Sequence, residues 1–331
     1  MRREAEAFWV CAPGVGEIRP ARLPDVGPDD VLVRTLHSAI SRGTESIVFA
    51  GRVPSTEHAR MRAPFQEGDF PAPVKYGYLN VGVVERGPVD LLGRAVFCLY
   101  PHQTAYVVPA DAVSLIPEGV PTERAVLAGT VETAVNALWD AAPLIGDRVT
   151  VVGAGMVGCC VARLLARFPA VEVTLVDVDP ERAVAARALG VDFASPGEAP
   201  GGCDLVLHAS ATAAGLQLAL DLLRPEGTVI DLSWYGDKPV SLQLGGSFHS
   251  SRLTVRASQV GLVSPARRWS RSTADRLSLA LELLRDDAFD AVLTGSTPFR
   301  ALPDLMPSLV AGVGPGGCHR ISYEVEPTCS A

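Results

Sequence analysis

Residues Val149–Gly158 read VTVVGAGMVG, and Asp177 stands near the end of a second apolar run, VEVTLVDVD. No other feature of the chain restricts its fold as strongly. Val149 to Val152 form a short β-branched run of the kind that lies in a buried parallel strand, and Gly153, Gly155 and Gly158 complete G-x-G-x-x-G. Met156, Val157, Val161, Leu164 and Leu165 follow at helical spacing. The glycine turn therefore opens a helix whose N-terminal N–H groups and dipole favour a pyrophosphate. Gly153 permits the tight bend, Gly155 removes a Cβ that would hold the phosphates away, and Gly158 lets helix and strand pack closely. Asp177 can accept hydrogen bonds from both ribose hydroxyls and would repel a 2′-phosphate. This order predicts a nicotinamide dinucleotide cofactor, NAD(H) in preference to NADP(H), bound with Met156, Val157 and Val178 nearby. Arg182 is close enough to Asp177 in sequence to soften the preference.

From Asp147 onward, strand-like and helix-like segments alternate. VEVTLVDV is followed by PERAVAARALG, CDLVLHAS by AAGLQLALDLLRPEG, TVIDLSWY by a polar crossover, and RLTVRASQV closes the series. Alternation with right-handed crossovers gives a doubly wound parallel sheet, and ligands bind at the carboxyl ends of its strands. His208, Ala209 and Ser210 end one such strand; Leu232, Ser233 and Trp234 follow another. All six are expected to border the cofactor. Before residue 120 the pattern is instead period two, broken by Gly and Pro, as in DVLVRTLHSAI and YLNVGVVERG. This predicts an α/β chain of two domains: a Rossmann domain over 137–265, and a β-rich domain over 1–136 plus 266–331. A helix starting near Thr122 should join them, and Glu57–Asp69 should form a partly helical surface loop.

The chain has 331 residues, enough for two domains of ordinary size, and a net charge of −8 with no run of Lys or Arg. That balance argues against a nucleic-acid partner. No stretch approaches 18 consecutive apolar residues and MRREAEAF lacks the form of a leader, so a cytoplasmic protein free of the membrane is expected. The seven cysteines, at 11, 98, 159, 160, 203, 318 and 329, contain no C-x-x-C. Cys159 and Cys160 fall inside the glycine-loop helix and read as small buried thiols. No G-x-S-x-G or ordered Ser-His-Asp set points to a hydrolase.

SAISRGTES at 38–46, VKYGYLNVGVV at 74–84, AGTVETAVNAL at 128–138, VVGAGMVG at 151–158 and the closing HRISYEV together resemble the medium-chain dehydrogenase/reductase superfamily. The resemblance covers nearly the whole chain. It implies a GroES-like β-rich catalytic domain beside the Rossmann domain, hydride transfer to or from a small molecule, and a homodimer joined through an edge such as RLTVRASQV. It also implies that Arg42 and Arg320 contact the cofactor pyrophosphate and that Thr133 lies against the nicotinamide ring. Surface pairing of the two arginines with Glu45 or Glu324 is the plainer alternative. Zinc-type members carry a ligating Cys where this chain has Ser41 and Gly-His-Glu where it has Gly77, Tyr78 and Leu79. The region of a third ligand, Gly129 to Glu132, offers no Cys or His, and the four-cysteine structural lobe is missing. No zinc or other metal is therefore expected. The S-x-G-T-E and G-Y pattern resembles a zinc-free branch that includes the hydroxyethyl bacteriochlorophyllide dehydrogenases.

Without a metal, a side chain must handle the hydroxyl proton. Tyr78, Glu45, His102 and Ser41 replace or adjoin the lost metal sphere and are the candidates. Tyr78 leads, on the expectation that an oxidised nicotinamide and a cation such as Arg42 beside it lower its pKa. His102 follows, although a lone His after Pro more often sits on a surface; Tyr78 could equally fill space with its hydroxyl on Glu45. Interconversion of an alcohol and a carbonyl is the leading reading. Reduction of an activated C=C bond and a cofactor-binding protein without catalysis stay open beside it.

Overall fold

The computed structural model describes residues 4–313 and 316–323. The TCSA tail, expected to be disordered, and Glu324 lie outside them. The chain forms two compact units, Met1–Gly129 with Thr294–Ala331, and Thr130–Leu293.

In the first unit the strands are β1 (Glu4–Ala12), β2 (Val15–Arg22), β3 (Asp30–Ile40), β4 (Glu67–Gly68), β5 (Val74–Lys75), β6 (Asn80–Arg86), β7 (Ala95–Cys98), β8 (Ala105–Pro109) and β9 (Val113–Leu115). Helix α1 (Arg42–Phe49) follows β3, α2 (Thr122–Ala125) follows β9, and α3 (Ala128–Ala141) leads into the second unit. There the order is β10 (Arg148–Val152), α4 (Met156–Leu165), β11 (Glu172–Val176), α5 (Arg182–Leu189), β12 (Asp192–Ala194), β13 (Cys203–His208), α6 (Ala213–Asp221) and β14 (Leu223–Asp231). It ends with α7 (Ser247–Ser250), β15 (Thr254–Ala257) and α8 (Thr273–Leu283). The chain then returns to the first unit through β16 (Leu293–Pro298), α9 (Leu302–Val310) and β17 (Cys318–Ser322).

The second unit's sheet runs β12-β11-β10-β13-β14-β15, with every pair parallel. This is the doubly wound order, in which strands are added outward on either side of β10. The near-continuous apolar runs of β10 and β13 follow from it, because helices cover both faces and leave no wet side. Register matters most for function. Val152 pairs with both Val176 and His208, and His208 pairs with Asp231. The carboxyl ends of four strands are thus level, and Gly153, Asp177, His208 and Asp231 come to one edge.

The first unit is antiparallel, with a sheet β2-β1-β5-β4 and a larger one β16-β17-β3-β6-β7-β9, to which β8 adds by pairing β3. β3 is buried in two runs, Val31 to Val33 and Ser38 to Ile40. A core of Val31, Val33, Val84, Val96, Tyr106 and Val108 fills one face.

Two sequence expectations need correction. The helix from Thr122 is two helices, α2 and α3, because the chain tightens at Leu127, whose N–H donates to Arg124 in place of a residue four back. The compact units divide at 129/130 and 293/294, not at 136/137 and 265/266: α3 and α8 stay with the parallel unit, where Arg276 of α8 is bound to Glu132 of α3 at 3.0 Å.

Candidate functional site

In the second unit the glycine loop has the form its residue types require. Gly153 adopts φ +107°, a backbone that side chains rarely tolerate, and a Cβ there would lie 2.8 Å from the Ser210 nitrogen. A Cβ on Gly158 would fall 1.8 Å from the Gly153 oxygen. On Gly155, the residue before α4, it would meet open space. The loop is therefore tight against the sheet and open where α4 presents its first N–H groups. That is a fit for a phosphate pair. Cys159 and Cys160 are buried, as their spacing suggested, and burial pushes the Cys159 thiol up to about 12.

Asp177 holds the loop from the side. One carboxylate oxygen accepts the Ala154 N–H at 2.7 Å and the other the Asp179 N–H at 3.0 Å. Arg182 pairs with Asp179 at 3.2 Å. Val178 is exposed, Ala209 donates to Val152, and Leu232 donates to the His208 carbonyl. Trp234 is half-buried, and Thr133 on α3 likewise.

The level strand ends create a network that sequence reasoning placed only in part. His208, fully buried, bonds Asp231 through Nδ1 at 2.9 Å and the Ser210 hydroxyl through Nε2 at 2.7 Å. The Ser210 hydroxyl reaches Thr212 at 3.0 Å; the Ser233 N–H and the Tyr235 hydroxyl both donate to Asp231, each at 2.9 Å. Burial alone would raise the Asp231 carboxyl, but the bonds from His208, Ser233 and Tyr235 hold it below its ordinary value. The string Asp231–His208–Ser210 has the connectivity of a charge relay, although no ordered motif marks it. Asp231 and Tyr235 were missed as members because their partner lies 23 or more positions away; the available signal was that VID and VLH end neighbouring strands.

In the first unit, Ser41 precedes α1, and its N–H donates to the Glu45 Oε1 at 2.7 Å. The Glu45 Oε2 meets His102 Nε2 at 2.9 Å. His102 Nδ1 meets the Ser38 hydroxyl at 2.7 Å, and that hydroxyl meets the Tyr323 hydroxyl at 2.9 Å. His102 is 1% exposed, which corrects the expectation of a surface histidine; its ring is drawn inward by two polar partners. A Cβ on Gly77, at φ +122°, would lie 3.0 Å from that ring, so glycine is what lets the imidazole approach.

Tyr78 is half-buried beside this group. Burial, reinforced by the Glu45 charge, pushes its phenol up to about 12, against the pull of hydrogen bonds with the Ser41 and Thr44 side chains. The expected lowering is therefore reversed: the nearest strong charge is an anion. Arg42, next to Glu45 on α1, donates from Nε to the Leu309 carbonyl at the end of α9. Arg320 on β17 has a buried Nε with no partner among the described residues, as has His37 Nδ1. His37 approaches Glu123 at 3.6 Å; burial, then the Arg320 charge, lowers its pKa. An unsatisfied buried guanidinium N–H costs roughly 1–3 kcal/mol unless a ligand accepts it, which suits Arg320 to an anionic group.

Zinc does not fit. Ser41 and Tyr78 occupy the positions that the resemblance gives to ligands, and Glu132 is held by Arg276. Among the described residues no group of three or more His, Cys, Asp and Glu could hold a metal ion.

No family model matches the chain. A curated L-threonine 3-dehydrogenase of Sinorhizobium medicae is 28% identical over 205 residues, 52% of this chain and 56% of that protein, so the match spans about half of the relative. Among solved structures, L-idonate 5-dehydrogenase of Escherichia coli superposes with a TM-score of 0.79 at 14% identity over 98% of this chain and 99% of that one. The 2R,3R-butanediol dehydrogenase of Bacillus subtilis gives 0.77 at 16% over 97% and 100%. A short chain alcohol dehydrogenase of Escherichia coli CFT073, solved with NADH, gives 0.75 at 16% over 98% and 100%. The chain therefore has the fold of the medium-chain, zinc-type alcohol dehydrogenases that its sequence resembles.

Proposed function

We propose that this protein is a nicotinamide-dependent oxidoreductase that interconverts an alcohol and a carbonyl on a small organic molecule without a catalytic metal. The observation that carries the reading is the glycine loop, closed against the sheet at Gly153 and Gly158 and open at Gly155, with Asp177 pinned at its side. A bound nicotinamide supplies the hydride acceptor or donor. Gly153, Gly155, Met156, Val157 and Gly158 would hold the phosphates, and Asp177, Val178 and Arg182 the adenosine ribose, NAD(H) being favoured and NADP(H) possible. His208, Ala209, Ser210, Leu232, Ser233 and Trp234 border the same edge, with Thr133, Arg42 and Arg320 assigned to the cofactor from the resemblance.

Proton handling falls to Tyr78, Ser41, Glu45 and His102. With its pKa raised, Tyr78 serves as a neutral donor that orients the substrate oxygen, and the Glu45–His102 pair takes or returns the proton. Burial excludes water from that pair and strengthens its hydrogen bonds. A zinc-free branch membership is part of this proposal, as is a homodimer through β15, a sheet edge whose Thr254–Ala257 are all exposed. So are a cytoplasmic location and the absence of nucleic-acid or membrane partners; no helix among the described residues is long and apolar enough to cross a membrane.

Calorimetric titration with NADH and NADPH, followed by turnover on a panel of alcohols and ketones with metal content measured on the same sample, tests the reading. Binding of neither coenzyme, or activity that tracks a stoichiometric divalent ion, would overturn it. Tyr78→Phe should lower alcohol oxidation by about 10²-fold, the scale of a lost acid–base group. Undiminished oxidation by that variant removes Tyr78 from the mechanism. C=C reduction, the alternative, would survive both Tyr78→Phe and Glu45→Gln.

A further inference from the structure

Ser38 and Tyr323 belong to no part of the machinery described so far, yet they complete a hydrogen-bonded string with Glu45 and His102. Ser38 comes from β3, Tyr323 from the residue after β17, His102 from the segment before β8, and Glu45 from α1. β17 runs antiparallel to β3 with Ile321 opposite Ser38, which brings the end of the chain back onto this site. All four side chains are buried, with relative exposures of 0, 7, 1 and 4% for Ser38, Tyr323, His102 and Glu45.

The proton positions along the string are constrained. The Ser41 N–H can only donate, so Glu45 Oε1 is an acceptor. The Tyr323 phenol is held protonated by burial, with the Glu45 charge adding to it, and the acceptor for its O–H among the described residues is the Ser38 oxygen. A serine that accepts from Tyr323 keeps its own buried O–H satisfied by turning it to His102 Nδ1; accepting from the ring as well would leave that O–H without an acceptor among the described residues. That nitrogen is then unprotonated, and Nε2 carries the proton that it donates to Glu45 Oε2. Every bond in the string is satisfied in this one direction. In the reverse direction the Tyr323 O–H would be buried without an acceptor, at a cost of roughly 1–3 kcal/mol.

We propose that Ser38 and Tyr323 are positioning residues that lock His102 as the neutral Nε2–H tautomer and so keep Glu45 ionised, an acceptor ready for a substrate proton. This deepens the proposed function and rests on its assignment of Glu45 and His102. The titratable neighbours that sense the Glu45 charge are Tyr76, Tyr78, Cys318 and Tyr323. Burial raises all four, so each is neutral at physiological pH and Glu45 is left to carry the charge of the cluster.

The test reads the ring nitrogens directly and needs no substrate. Full-length protein carrying ¹⁵N-histidine is examined by NMR near neutral pH, with His102 resonances assigned by their loss in His102→Gln. Wild type should show an unprotonated Nδ1 and a protonated Nε2. Ser38→Ala removes the hydroxyl that donates to Nδ1, and Tyr323→Phe removes the O–H that fixes the direction of that hydroxyl; each should move Nδ1 toward the protonated shift, and Ser38→Thr should keep the wild-type shift. A protonated Nδ1 in wild type overturns the proposal, as does a Tyr323→Phe ring identical to wild type. If Ser38→Ala fails to fold, Tyr323→Phe, which removes a single oxygen, still decides. Failure of turnover would sink the proposed function while leaving these shifts readable. Where turnover is found, the acid limb of its pH profile should shift in Tyr323→Phe but not in Ser38→Thr, whereas a merely structural role would alter melting alone.

Discussion

Single residues carry the sharpest consequences. Gly158 has no room for a methyl group: its Cβ would sit on the Gly153 carbonyl. Gly158→Ala should destabilise the second unit by about 1–3 kcal/mol through overpacking and abolish measurable NADH binding, both visible in a thermal melt with and without coenzyme. Asp177 was legible as the acid after the second strand, but its two bonds to backbone N–H groups were not, because they depend on how the chain bends after Val176. His102 shows the opposite failure: sequence offers a histidine after proline, and only the fold supplies Glu45 on one side and Ser38 on the other. The Tyr78 expectation failed in sign because pKa follows the nearest charge and the loss of water, and neither is written in the local sequence.

At the level of elements, the string β10, glycine loop, α4, β11 was readable because each signal lies within one short window. What the elements do together was not. α3 and α8 are joined by Arg276, which is 1% exposed and bonds Glu132, Asn136 and the carbonyls of Val260 and Leu262. Burial raises the Glu132 carboxyl, and the guanidinium opposes that rise. Removing one member of a buried pair strands the other, so Arg276→Met should cost about 3–5 kcal/mol in denaturant unfolding. A cost near zero would mean that Glu132 finds water or another donor. β15 stands at the sheet edge with four exposed residues. If it pairs with a second copy, Val255→Lys should halve the mass seen by sedimentation, since an edge charge opposes strand pairing.

Across the whole molecule, stability should respond to acid through His37 and His319. Burial lowers both pKa values; in His37 the Arg320 charge adds to it. A lowered histidine pKa means that the unfolded chain binds the proton first, so its contribution to stability is intact above the ordinary value of 6.5 and is lost as pH falls below it. The melting temperature should therefore fall as pH drops below about 6.5, and His37→Gln should flatten part of that slope. A slope unchanged in His37→Gln would mean that other groups dominate. By itself the sequence determined the class of fold, the doubly wound unit, the β-rich partner and the glycine loop, because periodicity and turn chemistry act over a few residues. It determined as well that cysteine and histidine are missing where a zinc-binding relative has them. Only the tertiary structure decided which side chains meet: Glu45 with His102, Ser38 with Tyr323, His208 with Asp231, Glu132 with Arg276. Such pairs join residues far apart in the chain, and what brings them within 3 Å is strand register and the burial of whole faces, which no single segment encodes.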